Sequence, residues 1–130
     1  MSSLPPGVAV DINALELQHS PVAADQLAAG SPGTGVHELG TFGGVELGVW
    51  EMSVGGMHDV EAEEVFLVTA GRATVEIHGD GGPRTMALAP GSLVRLDEGM
   101  RTTWTVHETL RKVYLSPPEH PGTPEQGASQ

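Results

Sequence analysis

The feature that most constrains the fold of this chain is a series of short β-prone runs separated by glycine-containing turns. The runs are residues 45–54, 64–68, 73–78, 85–88, 92–96, 102–106 and 112–115. The 18 glycines are spread through the 130 residues, so they can supply the positive φ angles of repeated tight turns. Short strands at close, even spacing, with no helical period between them, predict an all-β sandwich or barrel.

The two ends of the chain lack this pattern. In the N-terminal part, Ser20 and Pro21 predict the start of a short helix that ends at Gly30, because Ser favours the N-cap, Pro the first turn and Gly the position after the end. Residues 1–14 are interpreted as an N-terminal extension and residues 15–115 as one domain. Residues 116–130 are rich in proline and glycine, which predicts a flexible tail.

Composition excludes several classes of function. The net charge of −11 disfavours nucleic acid and anionic membrane surfaces as partners, since both require Lys and Arg to replace counterions. The chain has no cysteine, which excludes disulfides, zinc ribbons and a thiol nucleophile. No apolar run approaches the roughly 20 residues needed to span a bilayer, and the first residues do not resemble a signal peptide. We therefore expect a soluble cytoplasmic protein.

Two motifs resemble those of the cupin family. Glu64 is followed by six residues and Gly71, as at the end of the first cupin motif. Gly91 is followed by five residues, Asp97 and Gly99, as at the start of the second, with Asp97 where cupins usually carry Pro. The stretches 48–51, 53–56 and 103–114 are similar to the small cupins related to ureidoglycine aminohydrolase and the ethanolamine-utilisation cupin. The resemblance covers roughly residues 15–115. It implies a double-stranded β-helix, a jelly-roll-like antiparallel barrel that binds its ligand in the mouth and pairs as a homodimer.

The resemblance also implies where a metal would bind. A typical cupin holds a divalent metal with a His-x-His pair, a Glu and a third His. His58 and Glu64 match the first His and the Glu. Val60 and Thr102 stand where the other two histidines would be. A site with so few ligands binds manganese, iron, nickel or zinc weakly, so we expect either no cofactor or a weakly bound divalent metal on His58 and Glu64.

Strand periodicity indicates which side chains face a pocket. If Glu64 points into the barrel, Phe66 does too, and the same period of two groups Thr102 with Trp104. The predicted pocket residues are His58, Glu64, Phe66, Thr102 and Trp104, a mainly apolar set with a few polar groups that is typical of small-molecule sites. Glu64 is the best candidate for an acid/base residue; its alternative role is an ion pair with Arg95 or Arg101. Phe66 and Trp104 have core filling as their alternative.

Three functions are compatible with these observations. The first is a cupin that binds a small polar metabolite and has a degenerate metal site. The second is a metal-dependent enzyme acting on a small nitrogenous or carbonyl compound, as the aminohydrolase resemblance implies. The third is a non-catalytic regulatory cupin whose dimer surface is its function. The sequence leaves open whether the protein is an enzyme.

Overall fold

The computed structural model describes residues 4–118, and within them nearly all regular structure is β-strand. The strands are β1 (Ser20–Pro21), β2 (Leu27–Ala29), β3 (Gly33–Phe42), β4 (Val45–Met52), β5 (Gly55–Val60), β6 (Glu64–His78), β7 (Arg84–Leu88), β8 (Leu93–Leu96) and β9 (Arg101–Ser116). They form one curled antiparallel sheet. The all-β prediction is confirmed. Most of the predicted tail, residues 119–130, lies outside the described residues.

The helix predicted from Ser20 to Gly30 is absent and has to be corrected. Ser20–Pro21 pairs with β3, and Leu27–Ala29 pairs with β5. A segment of this length is marginal as an isolated helix, whereas a sheet edge offers backbone partners at once. The helix in the described N-terminal part is a single 3₁₀ turn, Ile12–Ala14, which Asp11 caps by accepting a hydrogen bond from the backbone N–H of Asn13.

The two longest strands organise the sheet. The first half of β9 lies between β5 and β6, and its second half lies between β4 and β6. The sequence runs 102–106 and 112–115 are therefore parts of one strand, and so are 64–68 and 73–78. Gly71 lies where the pairing of β6 with β9 shifts register, with φ of 88° and a backbone so close to Thr109 that a Cβ atom would overlap its carbonyl oxygen. The turn signal marks an irregularity within a strand rather than a strand end.

Side chains alternate between a packed inner face and an outer face. The buried core on the inner face consists of Met52, Met57, Phe66, Val68, Ala73, Val75, Leu88, Leu96, Trp104, Val106 and Leu110. On the outer face, the buried Arg111 guanidinium binds Glu51 at 3.0 Å and donates to the Ile12 carbonyl oxygen at 2.7 Å, which ties the N-terminal segment to the sheet. No helix in residues 4–118 is long and apolar enough to cross a membrane.

Candidate functional site

A cavity of about 330 Å³ opens on the inner face of the sheet, between β3, β4, β5, the start of β6 and β9. Its lining combines aromatic rings with ionisable groups. The lining residues are Gln26, Thr34, Val36, Trp50, Met57, Asp59, Glu61, Glu64, Trp104, Lys112, Tyr114 and Ser116. Such a mixture of apolar walls and a few directed polar groups is typical of small-molecule sites.

The Lys112 ammonium forms part of this cavity wall. Its Nζ donates to Glu64 Oε2 at 2.8 Å and lies 4.2 Å from the ring centroid of Phe66, 4.7 Å from that of Trp50 and 5.0 Å from that of Trp104. Lys112 is only 5% exposed. The carboxylate and the three aromatic faces together compensate the cost of burying the charge. The cavity therefore contains a fixed, built-in cation.

Glu61 lies beside this ion pair and is held from two sides. Its Oε2 accepts hydrogen bonds from the Thr102 hydroxyl at 2.7 Å and from the Trp104 indole at 3.0 Å. Its backbone, in the turn after β5, pairs with Met100 and Gly99. Glu61 is 7% exposed, and no donor from the described part of the chain binds its Oε1. One carboxylate oxygen is thus fixed by the protein, and the other is left for a ligand or water.

Asp59 is the second carboxylate of the cavity that forms no ion pair within the described residues. It accepts hydrogen bonds from the backbone N–H of Val60 at 2.9 Å and from the Gln26 side chain at 3.4 Å. Desolvation by burial raises the pKa of Asp59 above its usual value, and the negative charge of Glu61 raises it further. The site consequently favours either protonation of Asp59 or a cation beside it.

Tyr114 completes the wall, and Gly48 makes room for it. Tyr114 pairs with Gly48 on the neighbouring strand, and a Cβ atom at Gly48 would overlap the Tyr114 hydroxyl group. Burial raises the pKa of Tyr114, with smaller contributions from Glu38, Glu46 and Glu64. The hydroxyl therefore stays protonated at neutral pH and can donate a hydrogen bond into the cavity.

The structure brings four of the predicted pocket residues to the inner face. Glu64 and Trp104 line the cavity, Phe66 is buried against the Lys112 ammonium, and Thr102 is buried behind Glu61. The partner of Glu64 is Lys112 and not an arginine. Arg95 instead pairs with the exposed carboxylate of Glu63, at 3.2 Å.

His58 is placed differently from the prediction and has to be corrected. Met57 and Asp59 point into the cavity, so the period of two sends His58 to the outer face, where it is exposed. There its Nδ1 lies 3.0 Å from the hydroxyl group of Thr103, which also contacts His78 at 2.8 Å. His58 and Glu64 therefore lie on opposite faces of the sheet.

The positions that correspond to metal ligands do not provide a matching donor set. Across the described residues, no group of three or more His, Asp or Glu side chains is arranged to hold a metal ion. The Glu64 carboxylate is bound by an ammonium group, the Thr102 hydroxyl donates to Glu61, and His58 points away. Zinc, iron and manganese sites require three or four converging protein ligands, which these residues do not supply.

Sequence reasoning did not identify Asp59, Glu61, Lys112 and Tyr114 as cavity residues. A usable signal existed for the two on β9: counting in steps of two from the inward-facing Trp104 reaches both Lys112 and Tyr114. The count requires one uninterrupted strand, whereas the sequence indicated two. Glu61 follows the strand end and is positioned by backbone contacts to a distant turn, for which the sequence carries no local signal.

Comparisons with known proteins agree with this architecture. Residues 39–114 match the model of the EutQ-like cupin domain family, while no curated protein matches the sequence. The EutQ protein of Clostridium difficile is 21% identical, with a TM-score of 0.61 over 85% of this chain and 86% of that one. A protein of unknown function from Rhizobium leguminosarum is 24% identical, with a TM-score of 0.57 over 66% of this chain and 82% of that one.

A third similar structure is a protein of unknown function from Streptococcus pyogenes, 14% identical with a TM-score of 0.59, and the match covers 92% of this chain and 98% of that one. Identities this low support the fold and carry no argument about activity. The family match is stronger evidence because it extends over more than half of the sequence, from the last part of β3 to the end of the cavity wall on β9. The chain belongs to the family of EutQ-like cupin domains.

Proposed function

We propose that this protein binds a small polar molecule in the inner-face cavity and does so without a resident metal. The observation that carries the proposal is the ion pair between Lys112 Nζ and Glu64 Oε2, at 2.8 Å. Glu64 matches the carboxylate that a typical cupin uses as a metal ligand, and here an ammonium group occupies the coordinating position. The built-in cation takes the place that a divalent ion would have.

Electrostatics support this assignment. A divalent ion beside Glu64 would be repelled by a buried ammonium only a few ångströms away, at low local dielectric. Displacing Lys112 would also remove its contacts with three aromatic rings. The ammonium has three N–H donors, of which Glu64 uses one. The others, together with the Tyr114 hydroxyl and the free oxygen of Glu61, offer directed hydrogen bonds to a ligand.

The same contacts favour this proposal over the metal-dependent alternative that the resemblance to ureidoglycine aminohydrolase implies. That chemistry needs an open metal position held by at least three protein ligands. Glu64 is committed to an ion pair, so its role in this proposal is to orient Lys112 rather than to transfer a proton. Binding, with the reaction unassigned, is the function that the cavity supports best.

Binding in the cavity can be tested by mapping small fragments with NMR on the indole N–H signals of Trp50 and Trp104. Fragments that bind should shift the Trp104 signal, because its indole lies at the cavity wall against Glu61. Gly48→Ala should weaken them about tenfold or more, since its Cβ forces the Tyr114 ring to move.

Gly81→Ala is the matched control, because a Cβ atom at Gly81 meets no other atom within 4 Å. The proposal expects fragments to bind this variant as they bind the natural protein. It is contradicted if no fragment perturbs Trp104, or if Gly48→Ala and Gly81→Ala bind fragments equally well.

The proposal includes a homodimer formed through the outer face of the sheet. Leu67 and Leu93 are paired across β6 and β8, and Val65 is paired with Leu115 of β9, so their side chains form one apolar surface. Leu93 is 70% exposed, and Leu67 and Leu115 are exposed as well. Contiguous apolar surface of this kind is typical of protein interfaces, and a second copy of the chain is the occupant that we propose.

A further inference from the structure

The charges that line the cavity are unbalanced. Asp59, Glu61 and Glu64 supply three carboxylates, and among the described residues that line the cavity only Lys112 has a permanent positive charge. The ion pair with Glu64 uses that charge. Within the described part of the chain, Asp59 and Glu61 therefore form no ion pair, although the Lys112 charge partly offsets the raised pKa of Asp59. A ligand entering this space meets two carboxylates and a cation that is already compensated.

Glu61 is a buried hydrogen-bond acceptor whose side chain is held in place by other residues. Only 7% of Glu61 is exposed, and two side-chain donors fix its Oε2. Its Oε1 lines the cavity without a hydrogen-bond donor from residues 4–118. Because this oxygen is accessible from the cavity, it can accept a hydrogen bond from a ligand donor or from water.

We propose that the cavity selects small organic cations, of the amidinium or ammonium class, whose N–H groups bind Glu61 and Asp59 while the apolar part lies against Trp50 and Trp104. This inference rests on the proposed binding function and specifies its ligand class. A cation at this position would neutralise the repulsion between Asp59 and Glu61. An anion would be repelled by the same carboxylates, and the Lys112 charge that could attract it is already shared with Glu64.

The aromatic walls agree with such a ligand. The centroids of Trp50 and Trp104 are 5.7 Å apart with planes inclined at 57°, so the two rings form a corner. Both rings also face the Lys112 ammonium, which shows that their electron-rich faces already stabilise positive charge in this cavity. A second organic cation can use the parts of these faces that open to the cavity, where the charges of Asp59 and Glu61 offset its repulsion by Lys112.

Three molecules of matched shape test the charge preference: benzamidine, benzamide and benzoate, which are cationic, neutral and anionic. Binding is followed by isothermal titration and by the Trp104 indole signal in NMR at neutral pH. Benzamidine should bind about tenfold or more tightly than benzamide, because hydrogen bonds to charged groups are the stronger ones. Benzoate should bind more weakly than benzamide.

Glu61→Gln tests the residue. Its amide oxygen can still accept from Thr102 and Trp104, so the wall keeps its shape while the charge is lost. Benzamidine affinity should fall about tenfold, and benzamide affinity should stay within about twofold. Glu76→Gln is the control, since it removes the same charge from an exposed position on β6; it should leave both affinities unchanged. If Glu61→Gln fails to fold, Asp59→Asn replaces it with the same expectation.

Each other outcome contradicts the inference. Benzoate or benzamide binding as well as benzamidine, with a shifted Trp104 signal, would refute the cation class and leave the binding function standing. Equal losses in Glu61→Gln and Glu76→Gln would show a general effect of the acidic protein rather than a site. Absence of any benzamidine effect on Trp104 would refute the inference outright.

Discussion

Replacing Lys112 by methionine removes the ammonium while keeping a long apolar side chain in the same space. The change leaves Glu64, whose side chain is 15% exposed, with a buried carboxylate and no cation. Breaking a buried pair from one side costs about 3–5 kcal/mol, and the lost contacts with aromatic rings add about 0.5–2 kcal/mol. Methionine recovers part of this by packing against the rings. We expect the free energy of unfolding to fall by about 3 kcal/mol.

The double variant separates the charge from the packing. In Lys112→Met with Glu64→Gln, no carboxylate is left unpaired, so the double variant should be more stable than Lys112→Met alone, by about 1–2 kcal/mol. A second substitution that restores stability identifies the orphaned charge as the main cost. A simple loss of packing would instead make the two effects add.

Urea unfolding followed by tryptophan fluorescence measures these differences directly, because Trp104 is buried in the core. Thermal unfolding offers an independent check, with a shift of about 4 °C expected per kcal/mol for a domain of this size. The reasoning is refuted if Lys112→Met costs less than about 1 kcal/mol. It is also refuted if the double variant is less stable than the single one, since Glu64 would then not depend on Lys112.

Two further predictions concern Asp59 and the outer face. The raised pKa of Asp59 means that the folded state holds its proton more tightly than the unfolded state, so this group's contribution to stability falls as the pH rises from its unfolded value through its folded one. In urea unfolding, the free energy of unfolding of Asp59→Asn minus that of the natural protein should therefore be larger at neutral pH than at about pH 4. The same value of this difference at both pH values would contradict the prediction. Leu93→Glu should convert a dimer into a folded monomer in light scattering, and a natural protein that is already monomeric would refute the proposed interface.

Strand periodicity explains how much of the fold could be predicted. Runs such as 73–78 alternate cleanly, and β6 to β9 lie where β-branched residues and turns indicated them. The first part of β3 reads Gly-Thr-Gly, in which two glycines outweigh the β-propensity of the single threonine, and it is a strand because β1 and β4 pair with it. The N-terminal strands therefore form because other strands pair with them, and the local sequence could not predict them.

The site could be predicted only where a residue's face followed from a well-defined strand. Glu64, Phe66, Thr102 and Trp104 came to the inner face by simple alternation. His58 was assigned to the pocket because it matches a metal-ligand position of cupins. On β5, however, Met57 and Asp59 face inward, so His58 faces outward. Lys112 follows Arg111 in the sequence, and two adjacent charged residues are ordinarily solvated. Only the continuity of β9 shows that Lys112 points inward. Its meeting with Glu64 depends on the register between β6 and β9.

The most direct test of the account is the metal content of the protein, purified without a histidine tag and incubated with manganese, iron, nickel and zinc in turn before extensive dialysis. Because Lys112 holds the Glu64 carboxylate, the account predicts that each metal stays well below one equivalent, in the natural protein and in Glu64→Ala alike. One equivalent of bound metal in the natural protein, lost in Glu64→Ala, would contradict it.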